Sequence, residues 1–165
     1  MRRLRSIISI MLAILICSIA GFSTQASSVN STENQVLVSE TVEYYTDGSA
    51  LIISVYEENL QSRSNLYDKV GKKTYEYRNA DGNINWTFSV RGEFRVIEGA
   101  SVTCTSASCS AEIIDQAWTC VSKYASTSGN QAIAHGEFQR KLLGVVISAR
   151  AADVTLSCDP YGNLY

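Results

Sequence analysis

The sequence predicts an all-β domain, an antiparallel β-sandwich with a small β-barrel as the alternative, stapled by disulfides. Three observations carry this. Beyond residue 35 the apolar pattern is period two almost throughout, with no convincing amphipathic helix. Two Asp-Gly dipeptides, Asp47-Gly48 and Asp81-Gly82, sit between runs rich in β-branched and aromatic residues, the strongest short hairpin signal. Four cysteines remain once an export signal is set aside, an even number suited to two bridges.

The export signal comes first. Met1-Arg2-Arg3-Leu4-Arg5 carries three cations and no acid, and an apolar run follows from Ile7 to Ala20, interrupted only by Ser9, Cys17 and Ser18. These are the charged and hydrophobic regions of a secretory signal. The run is shorter than the roughly 20 apolar residues of a spanning helix. Thr24 and Ala26 place small residues at −3 and −1 for cleavage after Ala26; Ala20 is the alternative site, and an uncleaved anchor the alternative fate. Ile16 before Cys17 argues against a lipoprotein anchor. Cleavage after Ala26 removes three basic residues and no acids, leaving 139 residues with 11 basic and 16 acidic side chains, net −5. That length suits one core. The acidic balance disfavours nucleic acid and anionic membrane as main partners, since both select clustered cations. The organisation expected is a signal peptide over 1–26, a disordered lead-in over 27–35 and a single β domain over 36–165, with no transmembrane segment after cleavage.

The elements follow in order. Val36 to Tyr45 and Ala50 to Tyr56 form the first hairpin, and a two-residue type I′ turn would set Tyr44 opposite Leu51 and Val42 opposite Ile53. Residues 57–72 are polar without a clean period and read as loop rather than short helix. Lys73 to Ala80 and Asn83 to Ile97 form the second hairpin, with Tyr77 facing Trp86 and Tyr75 facing Phe88. In the next strand Val102 and Cys104 share a face, as do Cys109, Ala111 and Ile113; Trp118 and Cys120 share one in the strand after it. Ser126 to Asn130 turns the chain into Gln131–Leu142, where Ala132, Ala134, Gly136 and Phe138 look packed and His135 and Glu137 look outward. Gly144 breaks that run, and Val145 to Cys158 forms the last strand, before a turn at Asp159 to Asn163 that holds Pro160, the only proline.

Few residues offer chemistry. His135 is the only histidine; beside Glu137 it reads either as a general base oriented by a carboxylate or as a plain surface histidine, the more frequent case. No nucleophile elbow, Ser-x-x-Lys, His-Glu-x-x-His, P-loop or Gly-x-Gly-x-x-Gly is present. Asn79 to Ile84 mimics the middle of a calcium loop, but Tyr77 and Phe88 stand where its ends need oxygen ligands. Catalytic, cofactor and metal residues are therefore expected to number none. Tyr75, Tyr77, Trp86 and Phe88 read first as core and, as the alternative, as an aromatic binding face for a sugar. Lys69, Lys72 and Lys73 read as a solvated loop. Asn30-Ser31-Thr32 and Asn85-Trp86-Thr87 match the glycosylation triplet.

A turn near Ile114-Asp115 would place Cys109 opposite Cys120, which leaves Cys104 for Cys158; zinc is disfavoured because the spacings lack paired short intervals. Beyond residue 72 the chain also resembles an uncharacterised family of small secreted proteins of Gram-positive bacteria. The resemblance rests on Trp86 after Asp-Gly, Arg91-Gly92-Glu93-Phe94, Ser101-Val102-Thr103-Cys104, Trp118, Ser128-Gly129-Asn130 with Ala132, Leu143-Gly144, and Leu156-Ser157-Cys158-Asp159 with Gly162-Asn163. It implies Cys104 and Cys158 as the common pair with Cys109 and Cys120 as an extra, and it implies no catalytic residue. The function expected is a secreted, non-enzymatic binding module at or outside the cell envelope, with an envelope or extracellular protein or glycan as partner. A small secreted hydrolase and a bacteriocin-like toxin are the alternatives.

Overall fold

The computed structural model describes residues 35–58 and 65–165. The expected signal peptide, Cys17, the Asn30 triplet and most of the expected lead-in lie outside the described residues; Gln35, assigned to the lead-in, opens the first strand. Eight strands follow: β1 (Gln35–Tyr44), β2 (Ala50–Glu58), β3 (Leu66–Arg78), β4 (Ile84–Ile97), β5 (Ser101–Ile113), β6 (Trp118–Ser128), β7 (Gln131–Leu142) and β8 (Val145–Ser157). They form two antiparallel sheets, β1-β2-β3-β4-β5 and β6-β7-β8, each ladder joining consecutive strands. The molecule is a sandwich and not a closed barrel.

Alternation decides what each strand buries. Along β4 the side chains of Trp86, Phe88, Val90, Phe94 and Val96 all point inward and are buried. Facing them, β7 contributes Ala132, Ala134, Gly136 and Phe138, the set read as packed from the sequence. Large residues on one sheet meet mostly small ones on the other, so the layers interdigitate. A Cβ on Gly92 would come within 2.8 Å of both the Phe94 ring and Ala132 Cβ, so the backbone there has room only for hydrogen. Trp86 and Phe138 stack face to face at 4.0 Å, and Phe88 meets Phe138 edge-on at 5.7 Å.

Residues 57–72 depart from the expected loop. Glu57 and Glu58 end β2, and 66–72 begin β3, which pairs with β4 along its whole length. The polar pattern misled because its charges pair across strands within the sheet: Lys69 pairs with Glu57 at the edge of the inner face, and Arg91 reaches Glu58 at 2.9 Å on the outer one. The first hairpin also departs. Tyr45 N–H donates to Ser49 O (2.9 Å) and Gly48 takes φ 81°, a three-residue loop in which one left-handed glycine suffices. The odd residue shifts every pair, so Glu43 opposes Leu51 and Val42 opposes Ile52.

The second hairpin has the same loop length, yet Tyr77 faces Trp86 and Tyr75 faces Phe88 as the sequence predicts. A bulge at Asn85 restores the parity. Its carbonyl accepts the N–H groups of Ile114 (3.0 Å) and Asp115 (2.9 Å), which fastens the corner where the chain leaves one sheet for the other. In β5 a bulge at Thr105 lets Val102 and Cys104 share the inner face with Cys109, Ala111 and Ile113.

Candidate functional site

His135 lies on the outer face of the three-stranded sheet, where its row runs Tyr124, His135, Asp153 across three strands. Its Nδ1 is 2.6 Å from Asp153 Oδ1 and its Nε2 3.6 Å from Glu137, with the Tyr124 ring 5.2 Å away. The Asp153 hydrogen bond, and then Glu137, hold its pKa above the ordinary histidine value. Both carboxylates favour the charged form of the ring, in which both nitrogens are donors. Glu137, the sequence candidate for its partner, is the weaker of the two. A two-residue turn at Leu143-Gly144 would put Ala152 opposite His135; a bulge at Ile147 moves Asp153 there instead. The turn dipeptide was visible in the sequence, the bulge was not.

The four aromatics separate. Trp86 and Phe88 are buried, and Tyr77 is sandwiched between Trp86 (5.2 Å), Trp118 (5.7 Å) and Tyr45 (6.3 Å). No open ring face remains on these three for a sugar, so they are core. Tyr75 and Tyr77 edge a depression between the sheets, with Glu43, Tyr45 and Arg150 around it. Arg150 fills that mouth: its guanidinium lies 4.9 Å from the Tyr45 ring centre and 5.4 Å from that of Tyr77, and it bonds Asp47 (3.2 Å) and the Tyr77 hydroxyl (3.4 Å). The cation is already paired and stacked.

The four cysteines among the described residues are free, which departs from the expected stapling. Cys109 and Cys120 lie on strands of different sheets rather than across one ladder. The thiols of Cys104, Cys120 and Cys158 donate instead to the nearby carbonyls of Ser106, Ser122 and Asp159. Burial raises the Cys104 and Cys120 pKa values and pushes Cys158 up to about 11, so these thiols are mostly protonated near neutrality. No group of three or more metal-ligating side chains occurs among the described residues. No helix among them is long and apolar enough to cross a membrane.

No family model, no curated protein and no solved structure matches this chain. The likeness to small secreted Gram-positive proteins therefore rests on the residues quoted above alone.

The feature that sequence reasoning missed is the β7–β8 hairpin end. Arg140 to Ile147 are eight consecutive exposed residues. Five are large and apolar: Leu142, Leu143, Val145, Val146 and Ile147. β6 supports β7 only as far as Arg140, with one further bond from Lys141 N–H to Ala117 O, so the tip projects unsupported. Leu143 (φ 50°) and Gly144 (φ 83°) form the two-residue turn, and Leu143 is 98% exposed. Asparagine is the residue such a first position favours; a leucine there is strained by about 1 kcal/mol or more. The signal was present as Leu142-Leu143-Gly144-Val145-Val146-Ile147, but an alternating strand reading hid it, because neither face of the tip is covered.

Proposed function

We propose that this chain is an exported, non-enzymatic binding module that works at or outside the cell envelope, with the β7–β8 hairpin as its contact element. One observation carries the reading: five large apolar side chains stand in water on a hairpin tip that no other strand covers. Contiguous exposed apolar surface mostly marks an interaction site. Export is supported by the charged and apolar pattern of Met1 to Ala26. The raised thiol pKa values give a cysteine-hydrolase reading no support.

In an oxidising compartment the proposal includes disulfides Cys104–Cys158 and Cys109–Cys120. Cys104 N–H bonds Gly129 O and Cys158 N–H bonds Asn130 O, so one turn holds both backbones of the first pair. By chain entropy such bridges add about 4 and about 3 kcal/mol respectively. A non-reduced digest of the exported protein should show these two linkages; four free thiols, or Cys104 joined to Cys109, would count against them.

The exported protein, mixed with envelope fractions of the producing cell, should be retained and recovered with them. Free passage through every fraction would end the binding reading.

A further inference from the structure

We infer that the surface contacted by the β7–β8 hairpin is an anionic lipid bilayer, a conclusion that rests on the binding reading above and names its partner. Three independent features of the tip converge on it.

The first is shape. Beyond Lys141 the two strands run on through Leu142 and Val145 to the turn, a projection of about 7–10 Å at the usual strand rise. That matches the depth to which interfacial elements bury apolar side chains at the headgroup boundary. The second is charge. From Phe138 to Ala152 the chain carries Arg140, Lys141 and Arg150 and no carboxylate, inside a protein with an excess of acids. Arg150 is held by Asp47, which leaves Arg140 and Lys141 as a basic collar at the base of the apolar tip, without an ion pair among the described residues. Asp47, which lines a cleft with Arg140, is engaged by Arg150, and Asp115 belongs to the neighbouring turn and bonds Ala117 N–H. Apolar tip and cationic collar are complementary to acyl chains under anionic headgroups; each cation near such a surface multiplies binding about fivefold.

The third feature is the strain at Leu143. A left-handed leucine in full water contributes nothing to folding that asparagine would not supply better. Its placement makes sense when the side chain enters a medium that water cannot. The overall acidity, which disfavours an anionic membrane as a partner for the whole surface, is compatible with docking through one locally basic end.

The test uses the exported protein and sedimentation with vesicles of phosphatidylglycerol and phosphatidylcholine in equal parts, against phosphatidylcholine alone. Binding is expected to the anionic vesicles and to fall as salt rises. Leu143→Asn should fold at least as stably as the parent while its vesicle affinity falls about tenfold or more, the loss of one inserted leucine. Lys141→Glu should weaken binding to the anionic vesicles and leave phosphatidylcholine unchanged. A Leu143→Trp variant should shift its added emission to the blue on anionic vesicles only. Equal vesicle binding by parent and Leu143→Asn would overturn the inference, as would no binding by the parent. Retention by envelope fractions without vesicle binding would overturn it too, and leave the binding module standing with a protein or glycan partner. A concentration-dependent dimer lost in Leu143→Asn, with no vesicle binding, would assign the tip to self-association instead.

Discussion

His135 shows how little of a side chain's role its sequence neighbours reveal. Glu137 stands two residues away, yet the closer carboxylate is Asp153, eighteen residues on, brought into the same cross-strand row by one bulged residue. The consequence is a measurable pH dependence. The folded pKa of His135 lies above its unfolded value, so its contribution to stability is fully present below the ordinary histidine pKa of about 6.5. It is lost as pH rises through the raised folded value. Urea midpoints of the parent should therefore decline across that window more steeply than those of His135→Gln. Parallel curves would mean that the clip contributes nothing. The effect is small, because the pair lies on an exposed face where water screens it.

At the scale of elements, the chain after β8 acts as a plug. Asp159 caps a turn by accepting from Tyr161 and Asn163 N–H, and the tail then pairs back on Ser157 through Tyr165. This drops Leu164 into a notch over Gly71, where any Cβ would collide with it. Leu164→Ala is expected to cost roughly 2–5 kcal/mol, the range for a buried leucine, read as a lowered denaturant midpoint at unchanged slope. Elements of this kind were partly legible in the sequence. The inward set of β7 and both halves of β5 followed from period two, whereas the expected Tyr77–Trp86 pairing holds only because the Asn85 bulge offsets a loop one residue longer than a two-residue turn. What escaped has one physical cause. Asn85, Thr105 and Ile147 are bulged residues, and a bulge is a count of two against one across strands that leaves no mark in composition. The hairpin tip escaped for the opposite reason: its pattern was read correctly as strand, but a strand pattern does not say whether anything covers it.

On the scale of the whole molecule, the mismatch of five strands against three sets a gradient of protection. β7 and β8 pack over β3, β4 and β5, which leaves β1 at an edge with both faces largely in water. Amides of β1 should exchange with solvent about a hundredfold or more faster than those of central β4, as mass spectrometry of deuterated peptides would show; equal rates would mean that the edge opens only with the core. The loop that joins β1 to β2 carries a wider meaning for this edge. Its three residues turn Thr41 and Glu43 to the inner side and leave Val42 and Tyr44 outside, with Tyr44 80% exposed. A single-residue deletion at Thr46 would exchange those two sides in one step, with no substitution in the strand itself, and Tyr44 nitration would slow accordingly. Evolution can thus change the wetting of this flank through an insertion or deletion in a loop, a route along which the strand's own sequence is only a passenger.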